Sequence, residues 1–319
     1  TNLWFRARLQ QELGWRSLFP RVPDQHKSNK PMIPNGLGVI YVLASVVYLF
    51  LIYFFNVRAL IDSSDSASLP SVLAVSAPLI LAVCILFGGF LGMLDDWIDL
   101  KWRYKAFLPI VAAIPLSSFA YALGMRTSVT IPFVGMIHFG LYYYFIIIPV
   151  LVTIFTNTVN MLGGLNGLET ICPAIVLIGL MIMSISNANL LYVPLLIWLI
   201  LSALNFAGRI FVGNTGSFAI GMTLASFAII SDLKYNLAIS LLPYIFNSCL
   251  ILLTFFLFRK KASLSFDGKK LSSDHRRSLV TVIAHNRHLT ERQVVVIASL
   301  LVVLTTIVSI VFKHFVLLT

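Results

Sequence analysis

The stretch "LGMLDDWIDLKWRYK" (residues 91–105) decides how this chain is read. About twenty almost wholly apolar residues run into it. Asp95, Asp96 and Asp99 then fall within five positions, followed by Lys101, Arg103 and Lys105. An apolar run of that length is what an α-helix needs to cross the hydrocarbon of a bilayer. Carboxylates are among the costliest groups to place near hydrocarbon, so three at one helix end call for a reason. At ~100° per residue, Asp99 shares a helix face with Asp95 and lies near Asp96. Three like charges on one turn repel unless something positive sits among them.

The rest of the chain agrees with a membrane solvent. Of 319 residues, 59% are hydrophobic and only 11% charged, with a mean hydropathy of +0.92; soluble domains carry about a quarter charged residues. Nine apolar spans are expected, at about 37–55, 70–94, 106–124, 139–156, 168–186, 189–206, 216–231, 235–258 and 293–317. The fold class is therefore all-α, polytopic, a single membrane domain over 1–319. Residues 1–36 are expected to form an interfacial helix and a Pro-rich loop, and 259–292 a basic loop. The chain begins without methionine, which suggests an N-terminally incomplete copy. Cys84, Cys172 and Cys249 lie in apolar runs and are expected as small buried hydrophobes, with no disulfide framework or zinc spacing. His26, His138 and His314 look incidental.

Charge assigns the sides. When the loops are taken alternately, 19 of the 23 Lys and Arg residues fall in one set, and the other holds Arg58, Arg126, Lys234 and Lys313. Short loops rich in Lys and Arg stay cytoplasmic, so the first set is expected there. The net charge of +11 is thus pressed against a bilayer face. That suits anionic headgroups or an anionic substrate, and it argues against nucleic acid.

The chemistry sorts the same way. "NTVNMLGGLNGLE" (157–169) and "RIFVGNTGS" (209–217) fall on the cytoplasmic set with the acidic stretch and the 259–292 loop. Carboxylates suit Mg²⁺ or base catalysis toward a phosphate, and Lys105 suits a phosphate. Alternatively, the charges are simply solvated at the interface. Asn157, Asn160 and Asn166 offer carboxamides for Mg²⁺ or a nucleobase edge; a polar helix–helix contact is the plainer alternative. Asn214, Thr215 and Ser217 open a helix, a place for phosphate or for an ordinary cap.

In order, DD-x-x-D…K, N-x-x-N-x-x-x-G-x-N-G-L-E, F-V-G-N-T-G-S and a basic loop resemble the polyprenyl-phosphate N-acetylhexosamine-1-phosphate transferases. They look closest to the branch of eukaryotes and archaea that makes dolichyl-diphosphate-GlcNAc. The resemblance covers about residue 20 to the C-terminus and implies ten helices, the first missing here. It implies attack of a polyprenyl or dolichyl phosphate on UDP-GlcNAc, releasing UMP, with Mg²⁺ (Mn²⁺ as a substitute) on the diphosphate. Carried over, Asp95 and Asp96 stand near the lipid phosphate with Lys105 as a catalytic lysine. Asn160 and Asn214 stand as metal ligands, and Asn157, Asn166 and Phe211 as substrate contacts. Arg259, Lys260 and Lys261 take the place of a cluster holding the sugar diphosphate, with Arg276 and Arg277 of "DHRR" as its rival. Asn214 departs from the resemblance, which implies Asp there. The implied membrane is the plasma membrane in a prokaryote or the endoplasmic reticulum in a eukaryote, with the site on the cytoplasmic face. A homodimer is compatible with the sequence, which leaves oligomeric state open. Two rivals stand: a lipid-phosphate transporter or flippase, which would need ionisable residues in mid-membrane, and a weak relative that binds nucleotide sugar without turnover.

Overall fold

A computed structural model describes residues 19–62, 69–131 and 135–316. The expected interfacial helix falls mostly on residues 1–18, outside the described residues. Helices dominate, and the chain is a polytopic helical membrane protein. They are α1 (Gly38–Asp62), α2 (Leu69–Ile98), α3 (Trp102–Ala112), α4 (Ile114–Ala122), α5 (Ile148–Met161), α6 (Leu168–Met183), α7 (Tyr192–Phe206), α8 (Gly213–Ile230), α9 (Lys234–Ser240), α10 (Leu242–Phe258), the short α11 (Leu279–Ile283) and α12 (Glu291–Val316). Among the described residues three short antiparallel strand pairs accompany them: β1 (Arg21–Pro23) with β2 (Met32–Pro34), β3 (Ser128–Ile131) with β4 (Gly135–His138), and β5 (Ser265–Phe266) with β6 (Leu271–Ser272).

All nine expected spans are helical. Among the described residues, seven helices are long and apolar enough to cross a membrane, or eight if α9 and α10 form one span bent by 66°. The remaining one, α6, is apolar but short. Prolines mark the irregular points. Pro243 opens α10 just past the bend, and Pro115 opens α4 after the break from α3. Pro149, which has no N–H to donate, follows a π-helical turn at Tyr143–Ile147.

The centre of the bundle is α8. Every residue from Thr215 to Ile230 is buried, so this helix is apolar all round rather than striped. Helices α1, α2, α5 and α6 surround it. Small residues let the backbones approach closely, as in membrane helix pairs generally. Gly88 and Gly92 of α2 face it four residues apart. A Cβ on Gly92 would lie 2.1 Å from the Asn214 carbonyl oxygen, and one on Gly38 would lie 2.2 Å from Gly216 Cα. The short span expected at 216–231 is thus short because it is enclosed by protein, not lipid.

Two expectations change. Cys84 and Cys172 are buried, but Cys249 is exposed on the outer side of α10. Residues 19–36 are not a loose loop: β1 and β2 pair at Val22 and Ile33, and Asp24 is only 1% exposed. The hairpin runs into the α7–α8 connection, where Phe211 N donates to Pro34 O at 2.8 Å and Gly38 N to Val212 O at 2.9 Å. The N-terminal segment therefore folds over the end of the bundle.

Candidate functional site

The starts of α1, α3, α6, α8 and α12 and the ends of α2, α5, α7 and α10 meet at one end of the bundle, as alternating spans require. The first turn of α8 is its centre. There the helix leaves four backbone N–H groups without partners and presents the positive end of its dipole. Asp96, at the end of α2, caps it. Asp96 Oδ1 accepts from Asn214 N at 3.0 Å, and Oδ2 accepts from Thr215 N at 3.0 Å and Thr215 Oγ1 at 2.8 Å. Glu169, from the first turn of α6, accepts from the Val212 N–H. Two carboxylates from two helices thus hold the turn that carries the third motif. Gly213 is required here: its φ is +70°, and a Cβ would lie 2.8 Å from Asp96 Oδ2.

The second motif joins on the same turn. Ser217 Oγ donates to Asn160 Oδ1 at 2.5 Å and lies 3.3 Å from the Asn214 carbonyl. Ser217 thus links the Asn160 side chain to the backbone carbonyl of Asn214. Among the described residues the Asn214 carboxamide makes no hydrogen bond of its own.

Asp95 does something different from Asp96. It is 3% exposed. Its Oδ1 accepts from Leu100 N at 3.0 Å and pairs with Lys105 Nζ at 2.8 Å. Its Oδ2 is buried without a hydrogen-bond partner among the described residues. A buried lone acceptor is costly, which marks a place for an incoming donor or cation. Lys105 also reaches Asp99 at 3.6 Å, and Asp99 is fully at the surface. The repulsion among the three aspartates is thus relieved by Lys105 and by the α8 N-terminus.

Asn160 Oδ1 keeps a second lone pair, and the Asn214 carboxamide oxygen is uncommitted among the described residues, so each offers a hard oxygen. These residues fit Mg²⁺ provided that phosphate oxygens complete the coordination. Asn157 is turned elsewhere: its amide donates to Thr153 O at 2.9 Å and Ala106 O at 3.2 Å, tying α5 to α3.

Asn166 sits in a separate polar knot. Its Nδ2 donates to Asp24 Oδ2 at 2.8 Å and to Glu291 Oε1 at 3.0 Å, and its N–H donates to Glu291 Oε1 at 2.8 Å. Carboxylates only accept, so the amide has one allowed orientation. Asn166 Oδ1 is left buried and, among the described residues, without a partner. Lys27 Nζ closes the knot at 3.4 Å from Glu291. Asp24, His26 and Glu291 place ligand atoms within 4.8 Å of one another, yet Asn166 and Lys27 already engage both carboxylates. Next to it, Asn205 Oδ1 accepts from Gly167 N at 2.7 Å and shapes the left-handed glycine before α6.

The basic loop lies against this end. Arg259, Lys260, Lys261 and Arg276 are exposed. Arg277 Nη1 donates to the Lys261 carbonyl at 3.0 Å, so the two rival clusters are one neighbourhood. His26 stacks edge-on to Phe266 of that loop at 6.4 Å. A cavity of about 260 Å³ runs between the "MLGGL" turn and Ser263–Leu264, with His26 on its wall. In Asp267 the N–H groups of Lys270 and Lys269 hold the carboxyl below the usual range. Phe211 is half-buried beside the N-terminal hairpin.

Sequence reading missed Asp24, Lys27, Glu169, Asn205 and Glu291, and took Ser217 for a phosphate site or cap rather than the partner of Asn160. The charged ones carried a usable signal, since an acid or lysine is rare in so apolar a chain. Their partners lay too far along the chain to be guessed.

Comparison with known proteins gives consistent matches. The sequence profile described as glycosyl transferase family 4 matches residues 78–232. A Saccharolobus solfataricus protein, named provisionally as a UDP-N-acetylglucosamine–dolichyl-phosphate N-acetylglucosaminephosphotransferase, is 32% identical over 86% of this chain and 82% of its own length. A Sulfolobus acidocaldarius protein with the same provisional name is 30% identical over 70% of this chain and 66% of its own length. The Schizosaccharomyces pombe enzyme of that name is 27% identical, over 71% and 59% respectively.

Proposed function

Because the chain belongs to glycosyl transferase family 4, we propose that it transfers N-acetylglucosamine 1-phosphate from UDP-N-acetylglucosamine to a dolichyl-type polyprenyl phosphate. A phosphate oxygen of the lipid attacks the β-phosphorus of the nucleotide sugar. The bond from that phosphorus to the bridging oxygen breaks, UMP leaves with the electron pair, and lipid-diphosphate-N-acetylglucosamine forms. The observation that carries this reading is the first turn of α8, where Asp96 of the first motif, Asn160 of the second and Asn214–Ser217 of the third are joined by hydrogen bonds. The names of the archaeal and yeast relatives support the substrate pair.

Phosphoryl transfer requires little beyond positioning and charge. Asp95 and Lys105 form the group for the lipid phosphate: Lys105 attracts it, and Asp95 Oδ2 takes its residual proton when it enters as the monoanion. Asn160 and Asn214 would hold Mg²⁺ (Mn²⁺ as a substitute) on the diphosphate. An ion held there would supply positive charge to offset that building on the leaving phosphate. Asn166 Oδ1 is a buried acceptor whose orientation Asp24 and Glu291 fix, suited to an N–H on the uracil edge. Phe211 offers a ring beside that base. Arg259, Lys260, Lys261, Arg276 and Arg277 form the positive field that gathers the diphosphate. The working face is cytoplasmic, where 19 of the 23 basic residues fall. That is the inner face of a prokaryotic plasma membrane or the outer face of the endoplasmic reticulum.

The test is UMP release from UDP-N-acetylglucosamine and dolichyl phosphate, with and without Mg²⁺. Turnover that needs all three supports the proposal. Nucleotide-sugar binding without UMP would leave a binding relative, the reading that the neutral Asn214 favours. Failure of both overturns it.

A further inference from the structure

The end of the bundle opposite the motifs is poor in charge, and what it has is gathered. Of its four Lys and Arg residues, Arg126, Lys234 and Lys313 line one cleft of about 280 Å³. It lies where the chain leaves α4, where α8 turns into α9, and at the last turns of α12. A neighbouring cavity of about 540 Å³ shares Ser231, Asp232 and Lys313 with it. Asp232 is the one acid on either wall. Lys234 Nζ holds it at 2.6 Å and Arg126 Nη1 at 3.9 Å. Lys313 Nζ donates to the Met183 carbonyl at the end of α6, and among the described residues no carboxylate pairs with it. Three cations thus face one anion.

That excess is not ordinary anchoring. Lys and Arg are depleted on this side, and an anchoring residue serves anywhere on the rim. Arg58 behaves that way, pairing with Asp62 on the surface of α1 at 3.2 Å. Lys234 by contrast is 6% exposed and lies 4.8 Å from the centre of the Tyr143 ring. Burying a cation is costly unless anions or dipoles offset it. The cleft also has an aromatic wall: the rings of Tyr235 and Phe312 are 5.0 Å apart. A cationic floor beside an aromatic wall matches an amphiphile with an anionic head.

We propose that this cleft binds the phosphate of an anionic phospholipid from the leaflet opposite the motifs. The exposed Arg126 guanidinium forks onto the phosphate oxygens, Lys313 supplies a second charge, and Tyr235 and Phe312 meet the glycerol and upper chains. Lys234 stays with Asp232 and sets its position.

Native mass spectrometry of the full chain, released from nanodiscs of mixed phosphatidylglycerol and phosphatidylcholine, tests this. The wild type is expected to retain phosphatidylglycerol preferentially. Arg126→Gln with Lys313→Gln is expected to lower the ratio of the two retained lipids about tenfold or more, while Arg58→Gln leaves it unchanged. UMP release by the double variant stays at the wild-type level, because neither residue touches the motif end. Melting is followed alongside; if the double variant does not fold, Arg126→Gln alone decides, since its side chain is exposed. No preference in the wild type, retention by the variants, or equal loss in Arg58→Gln overturns the proposal. So does equal displacement by inorganic phosphate, which would make the cleft a site for the soluble anion.

Discussion

Asn214 has a neutral side chain at the turn where three motifs meet, and its own N–H is bonded to Asp96. Replacing it by aspartate adds a second negative charge beside Asp96. Two effects of opposite sign follow. Without a cation, Asn214→Asp should lower the melting temperature through like-charge repulsion. With a cation, the new carboxylate should bind it more strongly by about 1–4 kcal/mol, so half-maximal UMP release should need Mg²⁺ lower by about tenfold or more. Titrating Mg²⁺ against both rate and melting reads the two effects together. Equal half-saturation and a melting temperature indifferent to Mg²⁺ would move the ion away from this residue.

The adjacent aspartates should separate just as clearly. Asp96 caps α8 through three hydrogen bonds, so Asp96→Ala should lose about 1–2 kcal/mol of stability and transfer with it. Asp95→Asn keeps an acceptor for the Leu100 N–H. It should stop UMP release while melting stays near wild type. Similar melting losses in both variants would deny Asp95 a chemical role.

Helix α8 is positioned by what its neighbours lack. Where α2 passes it, Gly92 has no room for a Cβ, because the nearest atoms are the backbone of Asn214 and Thr215 at 2.1–2.5 Å. Backbone in a packed bundle cannot step aside, so Gly92→Ala should cost about 1–3 kcal/mol and displace the third motif. Gly163→Ala is the control: its nearest neighbour is the end of the Glu169 side chain at 3.3 Å. Thermal melts in detergent with UMP release should show the first variant damaged in both and the second near wild type. The spans themselves were legible, because in lipid every backbone polar group must be bonded within a helix and apolar length follows. What was not legible is that the least lipid-like span is the central one. The reason for Gly216 and Gly221 lies in the backbone of Gly38 and Thr156 packed against them.

Across the molecule, the N-terminal hairpin, the "NGLE" turn and the start of α12 are fastened together by Asp24, Asn166 and Glu291. These residues are 142 and 125 positions apart from Asn166 in the chain. Asp24→Ala frees the Asn166 amide to rotate and unlatches the hairpin. The KM for UDP-N-acetylglucosamine should rise about tenfold, in line with one buried charged hydrogen bond, with kcat less affected. Initial rates against nucleotide-sugar concentration check this. A fall in melting temperature with KM unchanged would make the latch purely structural.

The membrane class, the helical spans and the grouping of the polar motifs at one end were all determined by the sequence alone. Each follows from a local property: apolar length, a charge at a helix end, or a residue type repeated a few positions on. Asn157, Asn160 and Asn166 were picked out the same way, as more amides than one loop needs for packing, and Asn214 by its place at the opening of a helix. Only the tertiary structure decided what each polar group faces. It gave Asp96 to the α8 N-terminus and left Asp95 Oδ2 without a partner among the described residues. It turned Asn157 onto the backbone of α3 and drew Arg277 to Lys261. It also buried Asp24, which sits in an unremarkable loop sequence, against an amide and a glutamate from two distant segments. Hydrogen bonds and ion pairs act over about 3 Å in space and carry no periodicity along the chain. The partner of a buried polar group is therefore settled by how the helices pack.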